Sequence, residues 1–310
     1  MRPTLFLAFL LTASAACAEE PDTVQPAVTV TGELGIIDLR AGEFVYDGGD
    51  KLSQLNWHSR YALLTTFGAE AELDKDWTLT GRLRLGSEGD GHMVDYDWIG
   101  PFATDGSMSS WSDRSISPDT RLSHYVDVSL EASRRFASFG DTTLSGLGGL
   151  RYTDVKWDAY GGGYIYSGSG FRDSVGHFPE GQRGISYRQK IPVPYVGVES
   201  ETKAGPVTLK ARAGLGMSLG INDIDDHWAR QLRFEDKMAP APVAMLGLTA
   251  DYALTERVSL SLSGDFETVA RRRGSTDITD MKTGEQFFDS DTAGASFHSL
   301  SLSAGLKARF

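Results

Sequence analysis

The C-terminal segment of the chain restricts the possible folds most strongly. From Leu300 to the last residue, Phe310, apolar and polar residues alternate without interruption. Because successive side chains of a β-strand point to opposite faces, this pattern predicts a strand with one apolar and one polar face. A strand that ends the chain on an aromatic residue is typical of the closing strand of an outer-membrane β-barrel, whose apolar face contacts lipid and whose polar face lines the lumen.

The N-terminus carries the features of a secretion signal. Arg2 precedes an apolar run at residues 5–11 that is too short to span a bilayer, and Ala16 and Ala18 form a small-residue cleavage pattern. We therefore predict a signal peptide at residues 1–18.

Cleavage after Ala18 leaves a barrel domain at residues 19–310 and removes the only cysteine, Cys17. The mature domain then has neither a disulfide nor a thiol nucleophile. A lipoprotein modified at Cys17 is the alternative. Ser14 disfavours it, because a lipidation signal carries a branched apolar residue three positions before the cysteine.

The chain is acidic, with 42 Asp and Glu residues against 30 Lys and Arg and a formal net charge of −12. This charge argues against nucleic acid as a partner, because the phosphate backbone binds basic proteins. It favours basic or cationic ligands, which the electrostatic field of an acidic protein attracts.

Ten runs of alternating polar and apolar residues predict ten strands. They lie at residues 27–47, 55–73, 77–98, 121–138, 142–160, 185–203, 206–228, 242–255, 257–273 and 296–310. Short turns alternate with longer polar connections, as periplasmic turns alternate with extracellular loops. The longer connections lie at residues 48–54, 99–120, 161–184, 229–241 and 274–295.

The predicted fold is therefore an all-β, transmembrane, antiparallel up-and-down β-barrel of ten strands with five extracellular loops. Several strands are longer than the ~9–11 residues that cross a bilayer, so we expect the barrel to extend above the outer leaflet. A soluble β-sandwich is the alternative, which the signal peptide, the terminal Phe310 and the asymmetry of the connections disfavour.

Two acidic clusters lie at the extracellular ends of predicted strands. Asp95 and Asp97 share one face of a strand, about 6–7 Å apart at Cα, and Asp223, Asp225 and His227 share a face in the same way. Two adjacent carboxylates raise the pKa of one of them, whereas a carboxylate beside a histidine favours the imidazolium. Together the clusters can hold and deprotonate a water molecule, which is the equipment for hydrolysis without a covalent intermediate.

The pleat places both clusters on the lipid side unless each strand is interrupted. Alternation counted from Trp77 puts Asp95 and Asp97 outside, and alternation counted from Val207 does the same to the second cluster. Each strand therefore needs one bulge. Glycines offer positions for these bulges at Gly86, Gly89, Gly91 and Gly220.

The first cluster also allows a metal site. His92 with Asp95 and Asp97 can ligate a transition metal, and aspartate pairs bind calcium. The spacing matches no known metal-binding loop, so we predict no metal.

The non-enzymatic alternative is an outer-membrane porin or adhesin. Basic residues predicted inside the barrel would line a passage, or would close the lumen with salt bridges, which we favour. They are Arg82, Arg84, Lys210 and Arg212.

Seven short segments of the chain, in order and at near-family spacing, match one protein family. They are S-Q-L-N-W at 53–57, M-V-D-Y-D-W at 93–98, P-D-T at 118–120, G-G-G-Y-I-Y-S at 161–167, G-F-R-D at 170–173, F-P-E-G-Q-R at 178–183 and D-x-D-x-H at 223–227. On these segments the chain resembles the omptins, outer-membrane aspartic-type endopeptidases of Gram-negative bacteria. The resemblance implies a ten-stranded barrel with an extracellular active site that cleaves polypeptides after basic residues, with a dibasic preference.

The resemblance also implies catalytic roles for both clusters. Asp225 and His227 match the catalytic dyad of the family, which activates water. Asp95 and Asp97 match the opposing aspartate couple, which positions that water and the peptide carbonyl.

Three further residues receive roles from the resemblance. Glu43 and Asp223 match the acidic pocket for the arginine or lysine before the scissile bond, and carboxylates pair well with either cation. Lys190 keeps a basic residue at one position of the lipopolysaccharide site. The polar and basic set of that site is not retained around Leu150, Tyr152 and Asp154, and a basic position is lost near Ala239. We expect a monomer that acts on basic peptides or proteins, with lipopolysaccharide as a possible activator and no other cofactor.

Overall fold

The computed structural model describes residues 27–103 and 105–310, which form one sheet of sixteen antiparallel strands. The predicted signal peptide lies outside the described residues. The elements are β1 (Val28–Asp47), β2 (Asp50–Glu72), β3 (Trp77–Ser87), β4 (Asp90–Asp97), the 3-10 helix η1 (Gly100–Phe102), β5 (Asp113–Ser117), β6 (Asp119–Phe139), β7 (Thr142–Tyr160), β8 (Gly163–Tyr166), β9 (Ser174–His177), β10 (Arg183–Ala204), β11 (Val207–Met217), β12 (Asn222–His227), β13 (Leu232–Met238), β14 (Pro242–Ala253), β15 (Val258–Asp280) and β16 (Gln286–Arg309). Among these residues no helix has the length and apolar character needed to cross a bilayer.

Pairing between the first and last strands closes the sheet into a barrel. β1 lies between β2 and β16, with Thr29 opposite Arg309 near the start of the ladder. Close to the termini the ring runs through β1, β2, β3, β6, β7, β10, β11, β14, β15 and β16. We call this end, with its short connections, the turn end, and the opposite end the loop end.

The sequence analysis predicted ten strands, and the difference from sixteen segments arises at the loop end. The predicted strands at 77–98 and 206–228 are each broken in two, and the predicted loops contain β5, β8, β9 and β13. The predicted loop at 274–295 is largely wrong, since β15 and β16 continue through it to a turn at 281–285. β5 and β13, for example, carry charged side chains at adjacent positions and therefore on both faces, so they lack the alternation that identifies the other strands.

The apolar faces of the strands point outward in a belt around the ring. Leu34 and Leu215 are 71% and 70% exposed, while polar residues of the opposite faces, such as Glu33 and Ser301, are buried. The last strand confirms the prediction, because Leu302 is exposed where its neighbours Ser301 and Ser303 are buried. This arrangement is the reverse of a soluble protein and suits a barrel embedded in lipid.

Ion pairs fill the lumen inside this belt. Arg84 Nε lies 3.0 Å from Asp127 Oδ1, and Arg151 bridges Asp127 and Glu267 at 2.6 Å each. All four basic residues named in the porin alternative are ion-paired: Arg82 with Asp265, Arg84 with Asp127, Lys210 with Glu201, and Arg212 with Glu199. The lumen therefore contains charge pairs at these four positions rather than free cations.

Replacing Arg84 by alanine is expected to destabilise the barrel by about 1.5–3 kcal/mol, because Asp127 keeps Arg151 but loses a buried hydrogen bond between charged groups. Arg40→Ala is the matched control, since Arg40 pairs with Asp38 on the outer wall and its side chain is 59% exposed. Its loss should lower the free energy of unfolding by at most about 1 kcal/mol. Urea unfolding in detergent, followed by tryptophan fluorescence, compares the two. Equal destabilisation would mean that the lumen pairs do not stabilise the fold.

Two breaks between consecutive strands make the side chains of the acidic clusters point into the barrel. Between β3 and β4 the chain adopts φ of 61° at Glu88 and 98° at Gly89, and between β11 and β12 it adopts φ of 118° at Gly220. After each break the alternation changes phase, and β4 and β12 pair with new neighbours, β5 and β13. The predicted change of face is confirmed at both places. At Gly220 one extra residue enters the ladder with β10, as in a bulge, whereas the break at Glu88 and Gly89 leaves the register with β2 unchanged.

Candidate active site

An open cleft of about 840 Å³ occupies the loop end of the barrel. Five of the six residues predicted as catalytic or substrate-binding line it: Glu43, Asp95, Asp97, Asp225 and His227. The sixth, Asp223, lies deeper on β12, is 2% exposed, and accepts a hydrogen bond from the Tyr187 hydroxyl at 2.9 Å. Strands far apart in the chain thus bring all six residues to one end of the barrel.

Asp225 and His227 form a hydrogen-bonded pair on β12. His227 Nε2 lies 2.5 Å from Asp225 Oδ2, and the guanidinium of Arg230 donates to His227 Nδ1 at 2.5 Å. Since arginine is only a donor, Nδ1 carries no proton in this arrangement. The proton of the ring therefore lies on the side of Asp225.

Burial keeps this pair uncharged overall. It lowers the pKa of His227 to about 3, with help from the Arg230 charge, and raises the pKa of Asp225 to about 8. Near neutral pH the ring therefore carries one proton and the carboxyl carries another, so neither group is charged. The sequence analysis expected the carboxylate to favour an imidazolium; that expectation is wrong here, because burial and the cation of Arg230 outweigh the effect of the aspartate.

Asp95 and Asp97 lie side by side on β4 and face the same cleft. Burial raises the pKa of Asp97 to about 6, and burial together with the Asp97 charge raises the pKa of Asp95 well above its ordinary value. The Ser53 hydroxyl donates to Asp95 Oδ1 at 3.3 Å. The predicted rise in pKa is confirmed, and the couple keeps about one negative charge near neutral pH.

A stacked aromatic layer supports the acidic residues from below. Trp57 donates from Nε1 to Glu43 Oε2 at 3.1 Å and stacks on Tyr187 with ring centroids 5.4 Å apart. Trp157 also stacks on Trp57, with ring centroids 6.3 Å apart, and all three rings are fully buried. This layer, which we call the aromatic floor, separates the cleft from the ion-paired lumen and holds Glu43 and Asp223 by hydrogen bonds.

A further carboxylate, Asp236 on β13, was not predicted from the sequence. It lines the cleft, is 7% exposed, and lies directly opposite Asp223 in the ladder between β12 and β13. Burial raises the pKa of Asp236 to about 6. Asp236 falls in the segment predicted as a loop at 229–241, so nothing in the sequence indicated which face it occupies.

The metal interpretation of the first cluster is contradicted by the direction of His92. Its ring packs on the outer wall against His58, with ring centroids 5.1 Å apart, whereas Asp95 and Asp97 face the cleft. Within residues 27–103 and 105–310, no three His, Cys, Asp or Glu side chains are arranged to hold a metal ion.

Lys190 lies on the outer wall, beside a shallow groove of about 150 Å³ that Arg188 and Lys237 also line. Arg188 pairs with Asp154 through its Nε at 2.8 Å, and His124 reaches the same carboxylate at 2.9 Å. A role of Lys190 in binding lipopolysaccharide stays a prediction.

Comparisons with known proteins agree over nearly the whole chain. The sequence model of the family described as "Omptin family" matches residues 24–310. Protease 7 of Escherichia coli O157:H7 is 26% identical over 298 residues, which cover 94% of this chain and 91% of that protein. The plasminogen activator of Yersinia pestis is 26% identical over 304 residues, covering 96% and 95%.

A third relative agrees with these sequence matches, and a solved structure agrees with the fold. Outer membrane protease OmpP of Escherichia coli K12 is 28% identical over 284 residues, covering 89% of this chain and 88% of that protein. The crystal structure of outer membrane protease OmpT from Escherichia coli matches with a TM-score of 0.85 at 24% sequence identity, covering 93% of this chain and 99% of that chain.

Proposed function

Because the chain belongs to the omptin family of outer-membrane proteases, we propose that it cleaves polypeptides after basic residues, with a dibasic preference, at the extracellular face of the outer membrane. The observation that carries this proposal is the meeting of two paired groups in one cleft. Asp95 and Asp97 line it from β4, and Asp225 and His227 line it from β12. An acidic pocket lies next to them.

The reaction is a direct attack of water on the peptide carbonyl. The ionised carboxylate of the Asp95–Asp97 couple holds the water, and His227 accepts its proton as the new C–O bond forms. The proton shared by the couple stabilises the developing oxyanion through a hydrogen bond. His227 then protonates the leaving nitrogen as the C–N bond breaks, and Asp225 keeps the ring oriented throughout.

The side chain before the scissile bond enters the pocket formed by Glu43 and Asp223. A guanidinium can pair with both carboxylates, which Trp57 and Tyr187 hold in place. The net charge of −12 attracts basic peptides toward the loop end.

A peptide digest tests the proposal. The purified protein is incubated with a peptide library, with and without lipopolysaccharide, and mass spectrometry identifies the bonds cut. We expect cuts after arginine and lysine, most often between two basic residues. We also propose that lipopolysaccharide activates the protein and that Lys190→Ala weakens this activation. Cuts spread evenly over neutral and basic positions would contradict the proposed specificity.

Arg230 adds a testable feature to the reaction. His227 Nδ1 can accept a proton from water only after the Arg230 guanidinium has left it, since Nε2 faces Asp225. We expect Arg230→Ala to raise kcat/KM at pH 8 by up to about tenfold, because a hydrogen bond involving a charged group no longer has to be broken. The acid limb of the profile should move to higher pH, because Arg230 lowers the pKa of both His227 and Asp97.

The pH profile of kcat/KM for an Arg-Arg peptide measures both effects. Arg233→Ala is the matched control, since Arg233 loses the same charge but pairs with Asp226, with its Nε 2.7 Å from Asp226 Oδ1, rather than with His227. A profile of Arg230→Ala that coincides with the wild-type profile would contradict this role.

A further inference from the structure

We propose that Asp236 is a third carboxylate of the pocket for the basic side chain and that it determines the preference for a charged over a neutral residue before the scissile bond. The inference rests on the proposed function and adds to the pocket a residue from β13, a strand that none of the expected site residues occupies.

The position of Asp236 is unfavourable when Asp223 and Asp236 are both ionised, so the pair needs a proton or a bound cation. Asp223 and Asp236 are direct partners in an antiparallel ladder, and like charges directly opposite each other destabilise such a ladder. Among the residues that the structure describes, neither carboxylate has a salt bridge. Aspartates on the outward faces of β12 and β15 do have salt bridges, since Asp226 pairs with Arg233 and Asp277 pairs with Lys237.

Both inward carboxylates keep an oxygen without a hydrogen-bond donor. Oδ1 of Asp223 and Oδ1 of Asp236 are buried and have no partner within the described part of the chain, and Tyr187 reaches only the other oxygen of Asp223. A buried polar atom without a partner costs about 1–3 kcal/mol. A guanidinium offers five N–H donors and an ammonium offers three, so a basic side chain can satisfy both oxygens.

Asp236 is also close enough to Glu43 to belong to the same pocket. Burial raises the pKa of Glu43 well above its ordinary value, and the charges of Asp225 and Asp236 raise it further. Asp236 and Glu43 line the same cleft. A cation that enters between Glu43 and Asp223 therefore meets Asp236 as well.

Binding of a basic side chain is coupled to the release of protons from the same acidic groups. Asp236 lies opposite Asp223 on β12 and shares the cleft with Glu43 and Asp225, and the charge of Asp277 on the outward face of β15 also raises its pKa. All of these groups are acidic. Because the pKa of Asp236 is raised to about 6 and that of Asp223 is raised well above its ordinary value, the empty pocket holds protons that a bound cation must displace. Affinity for a basic side chain should therefore rise, and KM fall, as pH increases through about 6.

Asp236→Asn tests the inference with two substrates. One peptide carries arginine before the scissile bond, and the other carries citrulline, which has nearly the same shape but no charge. For arginine we expect KM to rise at least tenfold with a much smaller change in kcat, as for the loss of a hydrogen bond to a charged group. For citrulline we expect little change, and the pH dependence of KM for arginine should become shallower.

Asp277→Asn is the matched control, because it removes one negative charge from β15 while its partner Lys237 lines the groove on the outer wall. Heat-dependent mobility in SDS gels reports whether each variant is a folded barrel, and Asp236→Ser serves if Asp236→Asn does not fold. Equal effects on arginine and citrulline peptides, or equal effects of Asp236→Asn and Asp277→Asn, would overturn the inference. If the wild type itself does not prefer arginine to citrulline, the proposed function fails instead.

Discussion

His227→Ala is expected to lower kcat/KM for an Arg-Arg peptide by about 10²–10⁴-fold, the contribution of a general base. The side chain is the nitrogen acceptor of the cleft, and its hydrogen bond to Asp225 orients the ring. The loss should fall mainly on kcat, since His227 makes no contact with the pocket for the basic side chain in the proposed reaction.

The control for this variant is His298→Ala. His298 bonds to Thr268 through Nδ1 at 2.8 Å and does not line the cleft. Its replacement should leave kcat/KM within about twofold, as for most surface changes. Both variants should retain the heat-dependent gel mobility of a folded barrel. A His227→Ala variant that keeps wild-type kcat would exclude His227 as the proton acceptor.

Asp97→Asn is expected to have an effect of similar size, also about 10²–10⁴-fold on kcat/KM at neutral pH. The couple loses its ionised carboxylate, and Asp95 no longer feels the Asp97 charge that raises its pKa. In the wild type, activity should fall as pH drops through about 6, because protonation of Asp97 removes the acceptor for the water.

A stopped assay of kcat/KM from pH 4 to pH 9 measures this limb. Asp90→Asn is the matched control, because Asp90 begins the same strand but is exposed and lies outside the cleft. Its profile should follow the wild type. If Asp97→Asn retained both the neutral-pH activity and the acid limb of the wild type, the couple would have no part in holding the water.

The sequence predicted the strands well where lipid and lumen impose opposite demands on the two faces. In β16, Leu302 faces outward and Ser301 faces inward, so the amino-acid sequence alone shows the alternation. At the loop end this contrast disappears. β13 carries charged side chains on both faces, such as Glu235 and Asp236, and the sequence therefore predicted a loop there.

The sequence also predicted only part of the candidate site. Asp95 and Asp97 could be found because two residues on one strand share a face, and the resemblance supplied their partners. Arg230 and Asp236 could not be found, since their importance depends on contacts between segments that only the closed barrel brings together. The pKa of His227 was mispredicted because burial cannot be read from neighbours in the chain.

The aromatic floor and the ion pairs beneath it have a consequence for the cell. A cylinder through the outer membrane is a hazard when it conducts, because every copy then admits detergents, antibiotics and other small toxic solutes. Stacked Trp57, Trp157 and Tyr187, with Arg84 and Arg151 held by carboxylates below them, obstruct the lumen between the cleft and the turn end. A barrel obstructed in this way can be displayed in many copies with little cost to the permeability barrier.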